Sequence, residues 1–293
     1  GQERYAEPVP AAEAARGAGL PLADGRRAKG FATPSKKLEW FSPTLAEWGF
    51  PESATPEYEQ SHVHWSRIDF ARGERCLLPT FRLPTLIHTR SGNAKWLQEI
   101  SHTNPLWIHP EDARLLGIQN GALVKVATEI GHFVLRAWET DGIRPGVVAC
   151  SHHVGRWRLF REIGGQQQAS ALVELVRDGE RLTMRQKEGA GPYASFDPDS
   201  ERVWWKEVGV NQNLTFPVQP DPVSGMHCWH QKVRVTPAGP EDRYGDIHVD
   251  LAKSRAVYER WRALAKPAPG PGGLRRPLWL NRPLHPTEAA YRL

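Results

Sequence analysis

Cysteine is scarce in this 293-residue chain: Cys76, Cys150 and Cys228 stand far apart, with no Cys-x-x-Cys pair. Neither a disulfide framework nor a cysteine-ligated iron–sulfur cluster can be assembled from this chain alone. Long apolar runs are also missing; nothing reaches the roughly 18 residues a membrane-spanning helix needs. The opening Gly1-Gln2-Glu3-Arg4 is neither a signal peptide nor a start methionine, so a processed chain, or one cut from something longer, is expected. No Walker loop, no nucleophile elbow and no Gly-x-Gly-x-x-Gly phosphate loop occurs, and the Gly-x-Gly pattern near Gly270 to Gly273 lies among prolines. There is no internal repeat.

What is present points to a folded, turn-rich protein. Apolar residues make up 40%, enough for a core, while 26 glycines and 25 prolines argue against long helices and for short strands joined by turns. The net charge of +5 favours anionic partners, but lysine and arginine form no clustered stripe, and a nucleic-acid partner is not expected. Twelve tryptophans, some beside basic residues as in Arg156-Trp157-Arg158, suit burial against a large protein partner better than base stacking.

The hydropathy pattern predicts an extended arm over 1–30, then a first strand (Leu38–Ser42) and a surface excursion over 31–75. A regular segment follows. Strands are expected at Leu83–His88, Asn104–His109, Ala122–Thr128, Phe133–Trp138 and Val147–Cys150. Pro110-Glu111-Asp112 opens a short helix that Gly117 closes, and Asp112 is read as a structural first-turn acid. An insertion occupies about 155–206, a strand returns at Gln231–Val235, a helix is expected over 246–266, and 267–293 reads as a proline-rich tail. Together these predict a barrel over 76–237 with a C-terminal helix and tail over 238–293.

Several pieces occur in a distinctive order: Thr33-Pro34-Ser35-x-Lys37-Leu38-Glu39, the polar loop after Leu83–Ile87, Asn104-Pro105 with Pro110-x-Asp112-Ala113 and Gly117-Ile118, Ile143-x-Pro145-Gly146-Val147, His152-His153-x-Gly155, and Asn213-Leu214-Thr215 through Asp221-Pro222-x-Ser224-Gly225 to Lys232-Val233-Arg234-Val235. Over roughly residues 30–237 the chain resembles the C-terminal molybdopterin-dinucleotide-binding domain of the dimethyl sulfoxide reductase family of molybdenum and tungsten oxidoreductases. The resemblance implies a mainly β fold with some α: a six-stranded double-psi β-barrel with an insertion and extended N- and C-terminal arms. It departs from the family in having Lys36 where glycine is usual, and in lacking both a cysteine-cluster motif and a domain supplying the protein ligand to the metal.

The implied cofactor is a molybdopterin guanine dinucleotide with molybdenum or tungsten, a flat polyanion that calls for short polar donors and backbone amides at one rim of a barrel. On the resemblance His88, Thr89, Arg90, Ser91 and Asn93 would wrap a pterin or its phosphates, with Lys95 and Trp96 as further contacts. His152 and His153 would donate to the pterin, and Asn213 would meet a pterin edge. Lys232 is a candidate whose plain alternative is a solvated strand lysine. Cys150-Ser151-His152-His153 and His227-Cys228-Trp229-His230 also raise a zinc reading, although neither spacing matches a zinc knuckle.

The chain is therefore expected to be the cofactor-binding portion of an oxidoreductase that is catalytically incomplete alone. Its partners would be a larger molybdopterin-binding catalytic chain or missing N-terminal domains, with any iron–sulfur cluster in that part or in an electron-transfer subunit. The alternative is a cofactor-free barrel serving as a scaffold subunit of a respiratory complex. Substrate and compartment, periplasmic or cytoplasmic, stay open.

Overall fold

A computed structural model describes residues 8–16, 20–29, 38–91, 94–160, 171–188 and 206–265. These fall in two compact units, one within residues 1–59 and one spanning Gln60–Ala265. The turn-strand motif around Thr33 to Lys37 and the tail over 267–293 lie outside the described residues.

In the first unit a short helix α1 (Ala11–Ala14) precedes β1 (Leu20–Pro21) and β2 (Arg27–Ala28), which pair antiparallel with Leu20 opposite Ala28. Helix α2 (Pro43–Glu47) starts behind Ser42, whose Oγ accepts the Leu45 N–H at 3.2 Å. The strand expected over Leu38–Ser42 is irregular chain leading into that cap. Its apolar side chains Leu38, Trp40 and Phe41 are exposed, so the alternation has no buried face to serve.

The second unit holds β3 (Glu74–Leu78), α3 (His88–Ser91), α4 (Lys95–Ile100), β4 (Leu106–Ile108), α5 (Pro110–Leu116), β5 (Leu123–Ala127), β6 (Gly131–Glu139), β7 (Val147–Ala149), β8 (Trp157–Leu159), β9 (Ala171–Asp178), β10 (Arg181–Glu188), β11 (Gln231–Pro237), β12 (Ile247–Asp250) and α6 (Leu251–Arg262). Six strands close a mixed barrel in the order β4, β7, β3, β11, β5, β6, with β4 returning in parallel to β6 at Leu106 opposite Ala137. The pair β3 and β7 is also parallel; the other barrel pairs are antiparallel.

Period-two alternation gives the barrel its inside. Val124 and Val126, Val233 and Val235, and Leu106 and Ile108 all turn inward with Leu77, Phe133, Leu135 and Val148. The expected helix α5 forms as read: Pro110 opens it and Gly117 closes it in the left-handed region, φ 66°.

Two expectations need correction. The strand predicted at Leu83–His88 is a turn leading into α3, and the strand at this place is β3. Pro79 and Pro84 lack the N–H a ladder needs, while β3 alternates buried and half-buried residues beside β7 and β11. The helix expected from Asp246 begins only at Leu251. Ile247 and Val249 are buried on strand β12 against β6, and Asp250 caps the helix by accepting the Lys253 N–H at 2.9 Å. Within the insertion expected over about 155–206, β8, β9 and β10 are well-formed strands. They continue the barrel sheet outward, β12 bridging β6 to β10, with β8 parallel to β9 at the far edge.

Candidate functional site

Strands β3 and β7 run in parallel, with Leu78 opposite Ala149, so both deliver their following loops to one end of the barrel. From β3 the chain passes through Pro79 to Leu86 into the single turn α3. From β7 it passes directly into Cys150-Ser151-His152-His153. Sequence positions more than sixty apart therefore meet: the His88, His152 and His153 rings contact one another pairwise, with centroids 4.7–4.8 Å apart. One ring nitrogen from each lies within 4.8 Å of those of the other two.

Hydrogen bonds fix two of these rings. His152 Nδ1 lies 2.8 Å from the Pro79 carbonyl, which can only accept, so Nδ1 carries the proton. The Leu83 N–H donates to His153 Nδ1 at 3.2 Å, so in that ring the proton sits on Nε2. His153 is buried, and its Nε2 has no partner. Burial lowers the pKa of both rings from the usual histidine value, and the neighbouring histidines and Arg82 add to this. His88 is exposed and has backbone φ 47°, a conformation uncommon outside glycine.

A second layer holds the loops. Asn104 is fully buried and fastens both neighbouring segments: Nδ2 donates to Ser151 O at 2.7 Å and to Val210 O at 2.9 Å, while Oδ1 accepts the Val210 N–H at 2.8 Å. Gln212 Nε2 donates to Cys150 O at 2.6 Å, and its Oε1 is buried without a partner. At Gly155, φ 85°, a Cβ would fall 2.2 Å from Asn211 N, so only glycine allows the two loops this approach. Tyr244 ties the same segment from the other side, its hydroxyl donating to Glu207 O at 3.1 Å and accepting the Gly209 N–H at 3.0 Å.

The predicted site residues separate accordingly. His88, His152 and His153 come together. Ser91 is buried and closes the α3 turn by accepting the Ile87 N–H at 2.6 Å. Arg90 is exposed on α3, Thr89 lies in the same turn, and Trp96 is exposed on α4, which Lys95 opens; Asn93 lies outside the described residues. Asn213 is exposed, and the inward-facing amide is that of its neighbour Gln212. Lys232 pairs with Glu74 at 3.4 Å on β11, a strand-face lysine apart from the histidines.

The two zinc motifs do not converge. Cys150 is fully buried, its thiol pKa pushed up by burial, and Sγ donates to Asn104 O at 3.3 Å. Among the described residues, His88, His152 and His153 alone form a group of three potential metal ligands. Sequence reading missed Asn104 and Gln212 as organisers of the rim. The available signals were that Asn104 opens the quoted Asn104-Pro105 motif and that Gln212 stands beside Asn213.

Residues 77–184 match the molydopterin dinucleotide binding domain. The chain is 30% identical over 160 residues to the arsenate respiratory reductase molybdopterin-containing subunit of Chrysiogenes arsenatis, a match covering 45% of this chain and 19% of that subunit. It is 31% identical over 144 residues to dimethyl sulfoxide reductase DmsA of Escherichia coli, covering 45% and 17%. Among solved structures it is similar to the acetylene hydratase of Pelobacter acetylenicus, with TM-score 0.46 and 15% identity over 75% of this chain and 26% of that one. The chain thus spans less than a fifth of the length of these curated relatives. It carries the molybdopterin-dinucleotide-binding domain of the dimethyl sulfoxide reductase family.

Proposed function

We propose that this chain, as the bearer of a molybdopterin-dinucleotide-binding domain, is the cofactor-positioning portion of a molybdenum or tungsten bis-pterin guanine dinucleotide oxidoreductase. The observation that carries the reading is a pair of unpartnered buried polar atoms at one rim, the His153 Nε2–H donor and the Gln212 Oε1 acceptor. Buried polar atoms are rarely left without partners, and a pterin ring with adjacent donors and acceptors is a ligand that would complete both. The double-psi course of the barrel connections belongs to the same reading.

His153 would donate through Nε2, and His152, whose Nδ1 proton is held by Pro79 O, would accept through Nε2. His88, Thr89, Arg90 and Asn93 would meet the pterin or its phosphates. Bound there, the cofactor supplies two-electron or oxygen-atom transfer at its metal. The chain's own residues orient it, shield it from water and present fixed hydrogen bonds that tune its electronics. The remainder of the enzyme, as a larger catalytic chain or further domains, would provide the metal's protein ligand, and an iron–sulfur subunit would carry electrons.

The test is to express the chain with the rest of its enzyme and measure metal and pterin per complex. His153→Phe and Gln212→Leu remove the two atoms while preserving bulk; loss of pterin from an assembled complex is the expected result. Full pterin and metal content in both variants would reject the assignment. A wild-type complex holding neither metal nor pterin would instead favour the scaffold reading.

A further inference from the structure

We propose that His88, His152 and His153 form a divalent-cation site that takes zinc, or a neighbouring late first-row metal, whenever the rim holds no pterin. Three imidazoles from two loops meet with no carboxylate or thiolate in the group, and their ring nitrogens already lie within 4.8 Å of one another. A nitrogen-only set suits zinc, nickel or copper and gives calcium or magnesium none of the oxygens they require.

The three ligands are unequally prepared. In His152 the proton is on Nδ1, held by Pro79 O, which leaves the Nε2 lone pair free when the ring is neutral. A backbone carbonyl on the far nitrogen is the usual outer partner of a metal-bound histidine. His88 is exposed, so its side chain is free to adjust. Zinc–nitrogen bonds of about 2.0–2.1 Å in a tetrahedron place ligands roughly 3.3 Å apart, so the rings need close by at most about 1.5 Å. His153 is the costly ligand: binding through Nε2 moves its proton to Nδ1 and forfeits the Leu83 hydrogen bond. Arg82, close enough to depress both His152 and His153, opposes the cation. Three protein ligands would leave a fourth position to water.

All three residues are assigned above to the cofactor, His152 and His153 through Nε2, so metal and pterin exclude one another. The inference does not rest on the cofactor reading, and its test uses the full 293-residue chain purified without cofactor and stripped with chelator. Titration with Co²⁺, followed by visible absorption and calorimetry, is expected to show one equivalent bound with the absorption of a nitrogen-ligated four-coordinate ion, displaced by Zn²⁺. His88→Ala and His152→Ala should each weaken binding at least ~10-fold with unchanged far-ultraviolet circular dichroism. Because His88 is exposed, its variant tests the site without threatening the fold. A His227→Ala/His230→Ala control should bind as the wild type does. Absence of stoichiometric binding, equal binding in the His88 and His152 variants, or loss confined to the control would overturn the proposal. None of those outcomes bears on pterin content in the assembled enzyme.

Discussion

Asn104 and Val210 are joined as if they were opposed residues of a β-ladder: the side-chain amide of Asn104 donates to Val210 O at 2.9 Å and accepts from Val210 N at 2.8 Å. With its third bond to Ser151 O, one side chain satisfies three backbone groups on two rim loops. Asn104→Ala leaves the Val210 N–H buried and unpaired and Ser151 O with only the Cys150 thiol at 3.9 Å, while Val210 O keeps the Gln212 N–H at 3.1 Å. We expect a loss of about 3–5 kcal/mol, read as a lower denaturant midpoint at unchanged slope. Asn104→Asp, which keeps the acceptor but loses the donors and adds a buried charge, should fare no better. A loss below about 1 kcal/mol would show that the loops hold together without this residue.

Asp112 was legible as a structural acid, but the sequence pattern offered only the helix dipole as its reason. In the fold it is buried against Arg75, with Nη2 to Oδ1 at 2.7 Å, while its Oδ2 accepts the Gly146 N–H at 2.6 Å. Removing one partner strands the other charge, so Arg75→Met alone should cost about 3–5 kcal/mol. In Arg75→Met/Asp112→Leu much of that should return, leaving the unpaired Gly146 N–H and the Phe70 and Glu74 carbonyls without the Arg75 Nη1 donor. A double-mutant cycle of denaturant midpoints checks this, and additive losses would contradict it.

The barrel was readable where strands alternate cleanly, as in Leu123–Ala127 or Gln231–Pro237, and where helix punctuation is strong, as at Pro110 and Gly117. It was misread where a short apolar run could be strand, turn or helix. Leu83–Ile87 became a turn because Pro84 cannot join a ladder, and Ile247–Asp250 became a strand because β6 offered a free edge beside Phe133. For the site, the sequence could bring His152 and His153 together, being adjacent, but the arrival of His88 depends on β3 and β7 lying in parallel. Such non-local pairing leaves no periodic trace in the sequence. The same holds for Gln212, whose inward turn is set by Cys150 O.

Gly155 permits the 151–155 loop to lie against residues 210–211. Its φ of 85° is strained for an L residue, and an added Cβ would meet Asn211 N and Val210 C, each at 2.2 Å. Because the obstacle is backbone, no side chain can swing away to make room. Gly155→Ala is expected to destabilise by more than ~2 kcal/mol and to loosen the rim, visible as faster amide exchange at Val210. Wild-type stability and exchange would mean that the two loops are not held in this close approach.

His132 on β6 and His248 on β12 are directly opposed, their ring centroids 4.5 Å apart, with Thr183 Oγ1 3.0 Å from His248 Nδ1. Lys125, Asp242, Asp246 and Arg185 surround the pair. Burial, then the charges of His248 and Lys125, bring the His132 pKa down to about 4 from 6.5, and burial also lowers that of His248. Between those two values the unfolded chain binds the proton and the folded chain does not, so stability rises with pH across the window. It is full above about 6.5 and is lost as pH falls toward 4. Burial likewise lowers His62, His102, His152, His153 and His227, so the wild-type slope is a sum. Asp242 does not disturb the window: burial alone would raise its pKa, but the Lys125 hydrogen bond, the Gly239 N–H and the charges of Lys125 and His132 together outweigh that and hold it below 3.8. His132→Gln should therefore flatten, without abolishing, the decline in unfolding midpoint between pH 7 and pH 4.5. Discounted for the water that reaches the ring, its share is on the order of 1 kcal/mol. An unchanged slope in this variant would mean that the ring titrates normally and that the pairing of β6 with β12 does not hold it neutral.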